Sequence, residues 1–566
     1  MTAVLAAALA FAPARAAQVE LSQRFIASDG VSLQVLVGGQ SPLEPRPVIV
    51  EFSPYRPGCC PEFGGPGFNY LQVHIRGTGD SDGRFDSLGP RTQADVVEVL
   101  DWACHQPWSN GTLGVFGFSA SAITFYNSLH LPLPCVKAAV MWSGTYDLYR
   151  DLIFPGGVPN SLPGIGVLGL IGAPALAAEP GRLRRDPAAT VDVVGGIADA
   201  GVDAFLHQSL DRYWQERGVR GDVNHLAILV INGFFDVESR GAFQAFQAFR
   251  DDGAHLLVVG AHDGVPVGAE GVREAAGGAW FDHYLKGIDN GIEASPRVQL
   301  WMADGDREDD LAGAFVRYDG TDWPIPGTTW ESLFLSPAKS GTAHSLNDGS
   351  LLSIAPAEET AQSYPMIPTV PSASDQPNTA IVGPNGVNAL AEAFPLLTET
   401  TLAEPLGLSY TTGPLSSPVL SAGPASLELL LSSTATESDI WAIISDVWPD
   451  GSPHPVATGR LRTSYPDIDL SRSLVDPSGA VVQPYGIYSG KTPAEIGAER
   501  RYFVEFWPIG NRFKAGHRIR LDIVGVSLAS TPAGVAVNTV RVGGPEASRL
   551  LFPVLPGSDL GAALSS

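Results

Sequence analysis

The feature that most constrains this chain is a change of rhythm part-way along it. Up to about residue 322, short apolar runs alternate with amphipathic stretches. Beyond Trp323 the helical pattern largely stops and short strands follow one another. VIVEF (Val48–Phe52), YLQVHI (Tyr70–Ile75), LGVF (Leu113–Phe116), KAAVMW (Lys137–Trp142), LAILVING (Leu226–Gly233) and HLLVVG (His255–Gly260) read as buried strands. Between them, Asp95–His105 puts Val96, Val99, Leu100 and Ala103 on one helical face. Ala122–Leu129, Ser239–Arg250 and Glu270–Lys286 also read as helices. Strands alternating with helices predict a parallel sheet. The later runs SLELLLSS, DIWAIISDV, RYFVEFW and RIRLDIVG, set among Pro, Gly, Ser and Asn turns, predict an all-β sandwich.

Residues 145–224 interrupt the alternation. Proline and glycine break it first. Val202–Arg217 then reads as a helix, with Gly218 just past its end. The segment is expected to be an insertion between two sheet strands, in the place of a cap. The Pro/Ser-rich stretch Pro365–Asn378 is expected to be a long connection.

Charge and cysteine usage exclude some functions. The formal net charge is −25, which repels nucleic acid and anionic lipid. No run after the N-terminus reaches transmembrane length: Ile165–Ala178 is too short and is broken by Pro174. Residues 1–16 have an apolar run and an A-x-A-like site, the pattern of a signal peptide, so a periplasmic or secreted protein is expected, without membrane insertion once the signal is removed. Cys59, Cys60, Cys104 and Cys135 allow three pairings. Cys104–Cys135 is one candidate bridge, and free buried thiols are an equal alternative. There is no C-x-x-C and no zinc-type His/Cys spacing, and the acidic run Asp304–Asp310 lacks the order of a calcium loop, so no metal or cofactor is expected.

Chemistry enters at GFSAS (Gly117–Ser121), one residue short of the G-x-S-x-G turn. GVSLA (Gly525–Ala529) matches equally well. Context separates them. Ser119 follows a strand and opens a helix, as a nucleophile on a parallel sheet requires, whereas Ser527 lies in the strand-only region. Acyl transfer on such a sheet needs an acid and then a histidine on later strand ends. Asp236 follows LAILVING and His262 follows HLLVVG, in that order. Taken singly, Asp236 is also explained as a helix cap and His262 as a loop histidine; together and in order they predict a triad. The backbone N–H of Ala120 and the hydroxyl of Tyr55, in EFSPYRPGCC after an early strand, are the expected oxyanion donors. Phe118, Trp142, Phe234 and Phe235 are candidates for the substrate pocket.

These residues together resemble the cocaine esterase and X-Pro dipeptidyl-peptidase superfamily, which also contains α-amino acid ester hydrolases. DGVSL, SPY with Tyr55, RGTGDSDGRF (Arg76–Phe85), the helix–QPW–GFSAS run, NGFFD, GAHDG, WFDHYLKGIDNG (Trp280–Gly291), GRLRTSY and GHRIRLDI carry the likeness, in order, over most of the chain. The resemblance implies an α/β-hydrolase domain (17–144 and 225–322), a helical cap (145–224) and a C-terminal jelly roll (323–566). It implies serine hydrolase chemistry on small-molecule esters or amides through Ser119, Asp236 and His262, with Tyr55 and the Ala120 amide holding the oxyanion. Four features depart from the family: Ala120 after the nucleophile, His74-Ile75-Arg76-Gly77 in place of D-x-R-G, Gly260-Ala261 in place of a proline-tryptophan pair before the histidine, and a short span between Tyr55 and Arg76. A peptidase or amino-ester hydrolase acting on free amines, with Glu238 or Asp147 as candidate carboxylates for the ammonium, is the first alternative. A binding protein with a degenerate site is the second. Oligomeric state is left open.

Overall fold

The computed structural model describes residues 18–40, 43–55, 67–160, 171–221, 223–262, 265, 268–304, 314–367, 401, 404–525 and 532–564. The expected signal peptide, Cys59, Cys60, Ser527, most of the Pro/Ser-rich connection and the acidic run beyond Asp304 lie outside these residues.

Ten strands form the first sheet: β1 (Gln18–Ile26), β2 (Ser32–Gln40), β3 (Arg46–Ser53), β4 (Asn69–His74), β5 (Ser109–Phe118), β6 (Val136–Trp142), β7 (Ala227–Asn232), β8 (His255–Val259), β9 (Val298–Ala303) and β10 (Phe315–Gly320). Their spatial order is β1-β2-β4-β3-β5-β6-β7-β8-β9-β10. From β4 to β9 all neighbours are parallel, and β1, β2 and β10 run antiparallel at the edges. Parallel strands need crossovers, and here helices supply them after β4, β5, β7 and β8. They are α1 (Pro90–Cys104), α2 (Ala120–Tyr126), α4 (Ser239–Phe249) and α5 (Val272–Lys286), with α3 (Pro187–Leu206) in the insertion between β6 and β7.

Both faces of the central strands are buried, which is why these strands read as continuous apolar runs. Val48, Val50, Val115, Val230 and Val258 face one core with α1, α2 and α4. Ile49, Phe116, Val140, Ile231 and Leu257 face the other, against Trp280, Phe281 and Leu285 of α5. The three-residue spacing of Phe243, Phe246 and Phe249 puts all three rings of α4 in the first core, each at most 1% exposed.

The insertion departs from expectation. Its long helix runs Pro187–Leu206, capped by Asp186 through its bond from Ala188 N–H, so it starts well before the segment read as helical and ends inside it. His207–Asp211 is non-helical, and only the single turn Arg212–Gln215 follows, capped by Asp211. Two Asp caps start separate helices where hydrophobic periodicity suggested one.

Beyond residue 323 the described residues are mostly strands, with few helical residues. Val419–Ser433 pairs antiparallel with Arg500–Phe513, and Asp439–Val447 pairs antiparallel with both Pro453–Arg462 and Arg518–Val524. A single parallel pairing, Asn511 with Ala303 of β9, joins this β-rich part to the first sheet. A Cys104–Cys135 disulfide ties the end of α1 to the start of β6.

Candidate active site

Ser119 sits between β5 and α2 with φ 53° and ψ −122°, a conformation that L residues rarely adopt. A tight strand-to-helix turn forces it. A Cβ on Gly117 would lie 2.5 Å from Cα and 2.6 Å from the backbone N of Ala122, so only glycine fits there. At the other end of GFSAS a side chain is welcome. Ser121 is buried and donates its hydroxyl to Glu51 on β3 at 2.9 Å. The strain at Ser119 is held by its own N–H, bonded to the Trp142 carbonyl at 2.9 Å, and by the first turn of α2, where Ile123 N–H meets its carbonyl at 3.0 Å. Strain of this kind, over-determined by its surroundings, is a feature of functional sites.

Asp236 and His262 follow β7 and β8. Nδ1–H of His262 donates to Asp236 Oδ1 at 3.0 Å, and the Glu238 backbone N–H donates to the same oxygen at 2.8 Å. Asp236 is fully buried. Burial opposes its ionisation, but the charge of His262 and these hydrogen bonds outweigh it and hold the carboxyl below its usual range. The aspartate therefore fixes the imidazole with Nδ1 protonated, which leaves Nε2 as the base.

The two expected oxyanion donors meet. The Ala120 N–H donates to the Tyr55 hydroxyl oxygen at 3.1 Å, and Tyr55, Ser119 and Ala120 are all half-buried rather than closed off. The ring of Phe118 lies 5.1 Å from that of His262 and meets Trp142 edge-on at 5.8 Å. Two of the four expected pocket residues are buried. Trp142 is 3% exposed and belongs to the core under α5. Phe234 is 2% exposed; it packs 5.8 Å from Phe243 and against Gly510 of the β-rich part, where a Cβ would come within 2.2 Å of its ring. Phe118 and Phe235 remain half-buried.

Three supports went unread in the sequence. Ser143, at the end of β6 with φ 47°, donates its hydroxyl to the His262 carbonyl at 3.2 Å. Arg273 on α5 is 1% exposed and gathers the carbonyls of Val259, Ala261 (2.7 Å) and His262 (3.3 Å), so one guanidinium holds the turn that delivers the histidine. The third is Arg76, whose guanidinium forms two bonds with buried Asp95 of α1, at 2.6 and 2.8 Å. Residue type hints at Arg273 and Arg76, because a buried arginine needs acceptors; only the fold says which.

Among the described residues, one grouping has metal-type donors close together: Asp236, Glu238 and His262, with one atom of each within 4.8 Å of the others. Its imidazole Nδ1 is already bonded to Asp236. No described helix is long and apolar enough to cross a membrane.

Comparison with known proteins identifies the family and the fold. Residues 29–263 match the X-Pro dipeptidyl-peptidase (S15 family) profile, and residues 290–534 match the X-Pro dipeptidyl-peptidase C-terminal non-catalytic domain. Cocaine esterase of Rhodococcus sp. (strain MB1 Bresler) is 25% identical over 592 aligned positions, covering 93% of this chain and 97% of that protein. A CocE/NonD family hydrolase from Staphylococcus aureus superposes with a TM-score of 0.76 at 18% identity, covering 95% of this chain and 93% of the other. An aminopeptidase from a marine sediment Thaumarchaeota archaeon superposes at 0.67 and 18% identity, covering 94% and 96%. The fold is an α/β hydrolase with a β-rich C-terminal domain, and the enzyme is a serine hydrolase of the esterase or peptidase kind. The chain belongs to the cocaine esterase/X-Pro dipeptidyl-peptidase superfamily.

Proposed function

We propose that this serine hydrolase is a carboxylic ester hydrolase working through Ser119, His262 and Asp236. The observation that carries the reading is that a strained serine and a buried Asp–His pair stand at the ends of parallel strands β5, β7 and β8, with the ring of Phe118, Ser119's chain neighbour, 5.1 Å from that of His262. In this reading His262 Nε2 takes the Ser119 proton as Oγ attacks the substrate carbonyl. The Ala120 N–H and the Tyr55 O–H, which already face each other, turn to the developing oxyanion. The imidazolium is stabilised by Asp236 and gives its proton to the leaving alcohol. Water, deprotonated by the same histidine, then releases the acid and restores Ser119. Labelling with a fluorophosphonate tests it: the wild type is expected to label and Ser119→Ala is not. Labelling that persists in the variant removes Ser119 from the role.

Ester substrates without a free ammonium are favoured over the free-amine alternative by the state of the two carboxylates considered for that task. Asp147 is already paired with Arg150 at 2.6 Å. Glu238 is 2% exposed, and burial pushes its carboxyl well above the usual range, so it offers no anion to an entering amine. Activity on N-acetylated substrates equal to or above that on free amines is expected; loss on acetylation overturns the preference.

Export is part of the same reading. It rests on the signal-like residues 1–16 and gains support from the Cys104–Cys135 disulfide, which suits an oxidising compartment. A mature N-terminus beginning near residue 17 in the secreted or periplasmic fraction is the expected result, and an intact Met1 in the cytoplasm is the opposing one.

A further inference from the structure

One ionisable side chain beside the Asp–His pair has no task in the scheme above. Glu238 immediately precedes α4, at its N-cap position, two residues after Asp236, and is 2% exposed. Its Oε2 is buried without a hydrogen-bond partner among the described residues. One of its carboxyl oxygens, one of Asp236 and one ring nitrogen of His262 lie within 4.8 Å of one another. A buried polar group left unsatisfied needs a reason to be kept. Leucine or methionine would fill this space without a desolvation penalty.

The groups facing Glu238 define its state. Asp236 and His262 approach from the loops after β7 and β8, Asp151 from the insertion, and the Tyr126 hydroxyl from α2. Burial raises its affinity for a proton, the nearby Asp236 and Asp151 raise it further, and His262 offsets part of this. Two carboxyls in one dry site do not both ionise readily; one takes the charge and the other keeps a proton. The Nδ1–H and the Glu238 N–H both point at Asp236 Oδ1, so Asp236 takes the charge.

We propose that Glu238 is a reserve acid for His262: a positioning residue that takes over the negative charge beside the imidazole whenever Asp236 cannot carry it. The proposal rests on the triad reading above. When Asp236 is neutralised, Glu238 loses its proton to solvent as the pH rises, and the resulting carboxylate stabilises the imidazolium through charge across a gap of no more than 4.8 Å.

The test measures kcat/KM for a 4-nitrophenyl ester from pH 6 to 10 in the wild type, Asp236→Asn, Glu238→Gln and the double variant, each checked for folding by circular dichroism. In a triad without a reserve, an Asp-to-Asn change costs about 10⁴-fold. Here Asp236→Asn is expected to lose only about 10²-fold at high pH, with activity climbing through an extra ionisation absent from the wild type. The double variant is expected to lose that climb and fall at least about 10²-fold below Asp236→Asn. A pH-flat loss of the full factor in Asp236→Asn, with no further effect of Glu238→Gln, overturns the reserve acid and leaves the triad standing. Wild-type activity in Asp236→Asn at every pH overturns the triad itself. If Asp236→Asn does not fold, Glu238→Gln alone decides. A neutral Glu238 predicts an acid limb at the wild-type position, whereas a fall of about one pH unit in that limb means Glu238 is already charged and refutes the proposal.

Discussion

A single backbone conformation does much of the work at Ser119. Its φ of 53° is tolerated because Gly117 lets α2 approach β5, with Ala122 atoms at 2.5 and 2.6 Å from where a Cβ would be. Gly117→Ala pushes α2 away from the strand. It is expected to cost about 1–3 kcal/mol in urea unfolding and to lower kcat with it; unchanged stability and turnover contradict the account. The missing last glycine matters less, because Ser121 has both room and a partner in Glu51. Tyr55 gives a different signature. Its hydroxyl oxygen lies 3.1 Å from the Ala120 nitrogen, and Tyr55→Phe takes away one of the two proposed oxyanion donors while keeping the ring. A fall of about 10²–10³ in kcat with KM nearly constant is expected. A rise in KM at constant kcat instead assigns the hydroxyl to ground-state binding.

Elements, more than residues, explain what the sequence did and did not disclose. Strand-end positions were legible, because an apolar run ending in Gly-x-Ser, Asp or His is a local pattern. The order serine, acid, histidine followed from it. Ser143, Arg273 and Glu238 were not legible in their roles, since each acts by lying beside a different element that only the closed sheet brings near. The insertion's helix boundaries failed for the opposite reason: Asp186 and Asp211 cap two helices, and local capping overrode a weak apolar period. The β4 end shows how such placement sets pH behaviour. His74 is 1% exposed, and its Nδ1 accepts from Asp80 N–H at 3.4 Å. Burial drives its pKa from 6.5 down to about 4. Between those values the unfolded chain takes a proton that the folded one refuses, so stability falls as pH drops from about 6.5 towards 4, by on the order of 3 kcal/mol. His74→Asn, which keeps an acceptor and cannot titrate, is expected to flatten that slope in urea unfolding at pH 7 and 4.5; an undiminished slope removes His74 as its source.

At the scale of the molecule, one arginine joins three parts. Arg240 lies on α4, four residues past Asp236, and is 3% exposed. Its guanidinium pairs with Asp151 of the insertion and with Glu505 of the β-rich domain, the latter at 3.0 Å. Nearby, Arg150 of the insertion donates to the Gly486 carbonyl at 3.0 and 3.1 Å, and Phe234 wedges against Gly510. A gap with room for about one water molecule, lined in part by Arg150, Arg240, Arg460 and Glu505, lies at this junction, and none of the candidate site residues lines it. The chain just past Asp236 is thus braced by contacts to both neighbours, the C-terminal domain among them. Ionisation is costly here: burial pushes Asp151 from 3.8 up to about 6, with Arg240 opposing the rise. Raising the pH through that window charges a group the fold would rather keep neutral, so Asp151 favours the folded state below about 3.8 and that contribution is gone above about 6. Replacing Arg240 with methionine leaves Asp151 and Glu505 buried without their cation. Breaking such a pair costs about 3–5 kcal/mol when the remaining charge stays ionised. Asp151 escapes by taking a proton, and without Arg240 it does so at higher pH still. The destabilisation of Arg240→Met in urea is therefore expected to be larger at pH 8 than at pH 5. Equal destabilisation at both pH values means that Arg240 acts by packing alone, and the charge account of the junction fails.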